Sequence, residues 1–189
     1  MTHSLNTLSA ICEWLKSEQY DANYFQEEGA IIPERVVLPL GKTSSGLDLL
    51  LHIAHTGQTT KKFTQSLPET ELPPCDFVSL QFNVVIPQLV QDEAKKELMS
   101  YLLSLNAYLD MAHFCYYEAE KIIFYRYVYL APLSGISESV LVAIIESIRF
   151  LLDLFTQPIT DVAKGVKTCK ELQDEAKKMM QDIEFSTLK

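Results

Sequence analysis

The side chains best suited to chemistry are His113 and Cys115. Two residues apart on a strand-like run, they point the same way. A thiol beside a histidine is the pair that a cysteine nucleophile needs. The bland alternative is a small thiol packed beside a strand histidine. Two ligands do not make a zinc site, which takes three or four. His52 and His55 are three apart, so a strand points them to opposite faces and they do not share a metal. Gly41-Lys42-Thr43 matches the end of a phosphate-binding loop, but Val36 stands where the full pattern has glycine. The segment also joins two strands instead of opening a helix, so it reads as a β-turn. Tyr125, Tyr127 and Tyr129 share one face of a strand. Such a face can stack bases or sugars, yet no Lys or Arg alternates with it on that face, and cross-strand packing under a helix explains it better. The carboxylates are scattered, with no acid–base couple among them.

These residues sit in a chain of 189 residues, long enough for one domain with an appendage. Its net charge is −9 and its pI about 4.9. That balance argues against nucleic acid, whose binding is driven by clustered Lys and Arg, and against anionic membrane surfaces. It favours partners with basic segments. Cys12, Cys75, Cys115 and Cys169 are widely spread. A chain of this length builds a core without disulfides, so reduced thiols in a cytoplasmic setting are expected. Residues 1–6 do not read as a signal peptide. No apolar run reaches the roughly 18 residues of a membrane helix.

Periodicity predicts the elements. Leu5, Leu8, Cys12 and Leu15 mark a first helix over 5–19, with Ser4 as its cap and Trp14 flanking the stripe. Residues 20–29 read as irregular. Two strands follow at 35–40 and 47–54, with the polar segment 56–76 after them. Residues 77–86 alternate most cleanly: Val78, Leu80, Phe82, Val84 and Ile86 face one way and Ser79, Gln81 and Asn83 the other. Asp92 is placed to cap a second helix with the stripe Ala94, Leu98, Tyr101, Leu102, Leu105 and Leu109. A hairpin, 112–117 and 122–130, comes next. Ser137 caps a third helix that is apolar over two sides, and Pro158 is expected to end or kink it. Residues 160–185 read as a fourth helix with the heptad-like stripe Val162, Val166, Cys169, Leu172, Ala176, Met179 and Ile183.

The order helix, three strands, helix, two strands, helix resembles the type III secretion chaperone-like fold, including YbjN-type bacterial proteins. The local likeness is best over 94–155. There Leu105-Asn106 ends a helix before the hairpin, and Ser137-Glu138-Ser139-Val140-Leu141 opens the next. The resemblance implies an α+β domain over residues 1–159, with an antiparallel sheet of about five strands and an added C-terminal amphipathic helix over 160–189. It further implies a cytoplasmic homodimer joined through the second helix and a surface that holds a secreted client. The 56–76 segment and the tail helix depart from that pattern.

The expected function is therefore non-enzymatic: an apolar surface captures a segment of a protein partner, with no cofactor, metal, nucleic acid or membrane involved. Leu98, Leu102 and Leu109 are the expected dimer or partner contacts on the second helix. Val162, Val166, Leu172 and Met179 are those on the tail. One alternative is a YbjN-type regulatory or sensory module with the tail as a switch. A second is an enzyme built on Cys115 and His113.

Overall fold

The computed structural model describes residues 4–27, 34–44, 46–55, 77–110 and 112–187. The 56–76 segment lies outside them. The fold is α+β, with the helices gathered on one face of a six-stranded antiparallel sheet. Three helices follow the predicted order: α1 (Leu8–Ser17), α2 (Lys95–Asn106) and α3 (Glu138–Ala163). A fourth, α4 (Cys169–Thr187), carries the tail. The strands are β1 (Ser4–Leu5), β2 (Asn23–Gln26), β3 (Glu34–Lys42), β4 (Asp48–His55), β5 (Phe77–Ile86), β6 (Ala112–Tyr117), β7 (Ile122–Pro132) and β8 (Ile136–Ser137). The large sheet runs β2-β3-β4-β5-β7-β6, and β1 pairs with β8 as a separate ribbon.

Alternation decides which side of each strand is buried. Val36, Leu38, Leu51, Ile53, Phe82, Val84, Ile123 and Tyr125 all point under the helices and are 0–1% exposed. Leu8, Ile11, Cys12 and Leu15 of α1 meet them at helical spacing, and Trp14 packs at the margin. α3 contributes Leu141, Ile144, Ile145, Ile148 and Leu152 to the same core. Its Phe155 ring meets Phe114 edge-on at 6.1 Å. Its second side packs in part against α2 and leaves Phe150 and Leu154 open.

Several boundaries differ from those read off the chain. The sheet has six strands instead of about five, because β2 adds an edge strand in a stretch expected to be irregular. All four of its residues are exposed, so no burial alternation marks it. α1 starts at Leu8 rather than residue 5. Thr7 is its cap, accepting the Ala10 N–H at 3.1 Å, while Ser4 and Leu5 pair with Ser137 and Ile136. α2 opens through a 3-10 turn at Asp92–Ala94 and ends at Asn106, so Leu109 lies beyond it.

Pro158 neither ends α3 nor marks the start of the tail helix: α3 continues to Ala163. The carbonyl that proline leaves without a donor is that of Leu154, on an exposed flank where water can bond it. The helix stops instead at Gly165, whose φ of +68° is the left-handed turn of a glycine C-cap, with the Val166 N–H returning to the Asp161 carbonyl at 2.8 Å. The tail helix then begins at Cys169, not at Thr160. Thr168 and Glu171 form a reciprocal capping box: Glu171 Oε2 accepts the Thr168 N–H at 2.7 Å, and Thr168 Oγ1 accepts the Glu171 N–H at 3.2 Å.

Candidate functional site

The face of the sheet turned away from the helices is the candidate site. Strand register lays its side chains out in rows. Val37 lies opposite His52, His52 opposite Asn83, Asn83 opposite Arg126, and Arg126 opposite His113. In this polar row His52, Asn83, Arg126 and His113 stand on four strands. Beside it runs an apolar row, with Pro39 opposite Leu50, Val85 opposite Phe124, and Phe124 opposite Cys115. On the other side Phe25 lies opposite Arg35, and Gln81 lies between Ala54 and Val128.

Where the rows meet, a shallow basin of about 290 Å³ opens between Arg35, His52, Asn83, Val85, Phe124 and Arg126. Each guanidinium lies over a phenylalanine ring, Arg126 above Phe124 at 5.1 Å and Arg35 above Phe25 at 5.6 Å. That is the distance range of cation–π attraction. Arg35 also pairs with Glu27 at 3.5 Å. No carboxylate among the described residues pairs with Arg126. Gln81 Nε2 donates to Asn83 Oδ1 at 2.8 Å, which orients the amide floor. Burial, and after it the positive charge of Arg35, pushes His52 below its usual range, so it stands neutral near pH 7. The whole chain is acidic, but this face presents guanidinium charge.

The face is also apolar to a degree that simple solvation does not require. Leu50 is 46% exposed, Val85 45%, Phe25 45%, Phe77 54% and Leu130 64%. Isolated apolar side chains on a surface are ordinary. Leu50, Val85 and Phe124 instead fall together in the apolar row, the kind of cluster that marks an interaction surface, while Phe77 and Leu130 lie beyond the polar row.

The sequence-predicted contacts are placed differently. Leu98 and Leu102 face the core and are buried, with Val162 and Leu172 buried as well. All four belong to the monomer's own packing, and a partner cannot reach them without opening it. Leu109 is half-buried against the core. Of the tail contacts with described side chains, only Val166 is open, at 67%. Met179 lies on α4, its side chain outside the described residues. What α2 does present to solvent is Met99 and Leu103.

His113 and Cys115 do share the open face, His113 exposed and Cys115 half-buried. Burial pushes the Cys115 thiol up, outweighing the opposing pull of Arg126. That is the reverse of an activated thiolate. Among the described residues no three His, Cys, Asp or Glu side chains converge as metal ligands. His55 points under the helices and His52 away from them, as the odd spacing requires. Tyr125 is buried beneath the helices, with Tyr127 and Tyr129 packed half-buried against the same core. Among the described residues, no helix is long and apolar enough to cross a membrane.

Sequence reading missed the arginine rows. Arg35 and Arg126 are 91 positions apart in the chain, and only the β3-β4-β5-β7 pairing brings them to one basin. The available signal was their place on the non-core parity of strands whose core parity was already legible. Compared with known proteins, the chain matches no family model, no curated protein and no solved structure.

Proposed function

We propose that this chain is a non-enzymatic, cytoplasmic polypeptide-binding module, chaperone-like in action, that holds a partner segment on the open face of its sheet. The carrying observation is the dressing of that face: an apolar row of Leu50, Val85 and Phe124 beside two phenylalanine-stacked guanidiniums, with no helix over them among the described residues. Apolar side chains of the segment would lie along Leu50, Val85 and Phe124. A carboxylate of the segment would meet Arg126, which supplies orientation as much as affinity. The order helix, three strands, helix, two strands, helix supports the likeness to secretion chaperones and YbjN-type bacterial proteins, and with it the choice of a polypeptide as ligand.

A homodimer belongs to the same reading. With Leu98 and Leu102 inside the monomer, the apolar surface that α2 offers a second copy is Met99 and Leu103. Sedimentation should show a dimer that Leu103→Glu dissociates; a monomer at high concentration removes this part.

The test of binding is a Leu50→Glu/Val85→Glu double variant of the full chain. Both positions are nearly half exposed, so the variant should keep the wild-type circular dichroism and melting temperature. A partner purified on the wild-type chain should lose at least tenfold in affinity for the variant. Equal binding by both proteins would refute the assignment of this face.

A further inference from the structure

On the helix-covered side a cleft of about 630 Å³ opens between the first half of α3, residues 108–110, Ala112 and strand β7. Its size lies within the range of small-molecule sites. The walls are largely apolar, formed by Leu109, Val140, Ile144, Ile148 and Leu151. The uncharged polar groups are hydroxyls: Tyr125 and Tyr127 from the sheet, Ser139 and Ser147 from the helix, and Tyr108 from the exposed turn after α2. Asp110 is the one charged residue of the lining.

Tyr125 is the informative member. Its side chain is 1% exposed, and it packs edge-on against Phe114 at 5.2 Å between centroids. Yet its hydroxyl has no hydrogen-bond partner among the described residues. A buried tyrosine normally finds one, because leaving a buried donor unmade is costly. Among the described residues, Thr160 carries the one fully enclosed side-chain hydroxyl without a partner. The Tyr125 hydroxyl is therefore not fully enclosed, and Tyr125 is one of the residues that line the cleft.

We infer that this cleft is a binding site for a neutral, mainly apolar small molecule that carries a carbonyl or ether acceptor for the Tyr125 hydroxyl. The apolar walls select the body of the ligand. The lining has no cation to pair with an anionic head, and Asp110 repels one. The site is separate from the open sheet face, which lies on the other side of the sheet.

The test uses Nile red, a neutral dye with a ring carbonyl, titrated into the full-length protein. The expected result is saturable one-to-one fluorescence enhancement with a blue shift. Ala143→Trp adds bulk from an exposed position of the lining and should abolish the enhancement. Tyr125→Phe should weaken binding about three- to tenfold, the worth of one hydrogen bond, with an unchanged melting temperature because no internal bond is lost. The Leu50→Glu/Val85→Glu variant should bind the dye as wild type does, whatever its effect on partner binding. No saturable binding, or binding untouched by both cleft variants, would overturn the inference. So would an Ala143→Trp chain that loses its polypeptide partner while the wild type ignores the dye, since that result gives the cleft to a polypeptide.

Discussion

The side chain of Asn106 acts as one more strand residue at the edge of the sheet: its amide donates to the Phe114 carbonyl and its oxygen accepts the Phe114 N–H, both at 2.8 Å. β6 is the outermost strand and pairs only with β7. Its free edge would otherwise present unpaired backbone groups. The same contact ties the end of α2 to the hairpin that follows it. Asn106→Ala should therefore destabilise the fold by about 1–3 kcal/mol, the cost of leaving part-buried backbone groups unmade. Asn106→Asp, which keeps the acceptor and loses the donor, should fall between. Urea unfolding of the three proteins checks the order.

Among the described glycines, Gly135 is the tightest. It has φ of +103°, and a Cβ there would sit on the carbonyl of Leu5. It lies directly before β8, whose pairing with β1 fastens the start of the chain beside the α3 cap. Gly135→Ala combines a disfavoured backbone conformation with a backbone clash, and should cost about 2–4 kcal/mol. Faster amide exchange at Leu5 should accompany the loss. A wild-type melting curve for this variant would contradict the geometry.

Stability should fall as pH drops from 7.5 to 5. His52 and His55 are both held below the ordinary histidine value of 6.5, chiefly by burial. Over that interval the unfolded chain binds protons that the native chain resists, so protonation favours unfolding. The contribution is intact above about pH 6.5 and is lost on acidification toward the depressed native values. The lowered carboxyls of Asp92 and Glu171 have ordinary values of 3.8 and 4.5, so their contribution is lost at lower pH. Chemical denaturation at several pH values should show the slope, and His52→Gln/His55→Gln should flatten it.

Cys115 should react with a disulfide reagent at pH 7 more slowly than glutathione, because burial raises its thiol and the thiolate is the reacting form. Cys12, 1% exposed and also raised by burial, should react only at the rate of local opening. Mass spectrometry of timed labelling separates the two. Rapid labelling of Cys115 would restore the cysteine–histidine enzyme as a reading.

Truncation should locate the end of the folding unit. A chain ending at Lys167 keeps α3 whole and loses mainly the buried Cys169 and Leu172. It should fold with a loss of about 2–4 kcal/mol, from burial of roughly 1.5–3 kcal/mol per large side chain and the bond from Cys169 N–H to Glu97. A chain ending at residue 159 also loses Val162 and Ala163, both 0% exposed, and should fail to fold cooperatively. Circular dichroism and thermal melts decide. The folded 1–167 chain is also the right protein for asking whether the tail regulates binding.

Much of the fold was legible where burial writes a local rhythm. β5 falls at Phe77–Ile86, the bounds that alternation predicted, and β6 at Ala112–Tyr117, the first strand of the predicted hairpin; each is covered on one side. β2 was not legible, since its residues are exposed on both sides and its identity depends on pairing with β3. The end of α3 was misplaced because Pro158 is a local warning that an exposed flank makes harmless. The true boundary was written nearby, in Gly165 and in the Thr168-x-x-Glu171 capping box. The candidate site was less legible. Of the stripe predicted for α2, Leu98, Tyr101, Leu102 and Leu105 lie on the helix while Ala94 and Leu109 fall outside it. Leu98 and Leu102 point into the core, and Met99 and Leu103 remain outside.

The sequence by itself determined the class, the order of the three main helices and of the covered strands, and which parity of β3, β4, β5 and β7 is apolar. Those follow from periodicities of 3.6 and 2, which neighbouring residues set among themselves. Tertiary structure alone decided which apolar residues the core consumes and which remain open, and it brought Arg35, His52, Asn83 and Arg126 to one surface. A pattern shows that a face must be covered without showing what covers it, and register between distant strands is a relation that no local stretch contains.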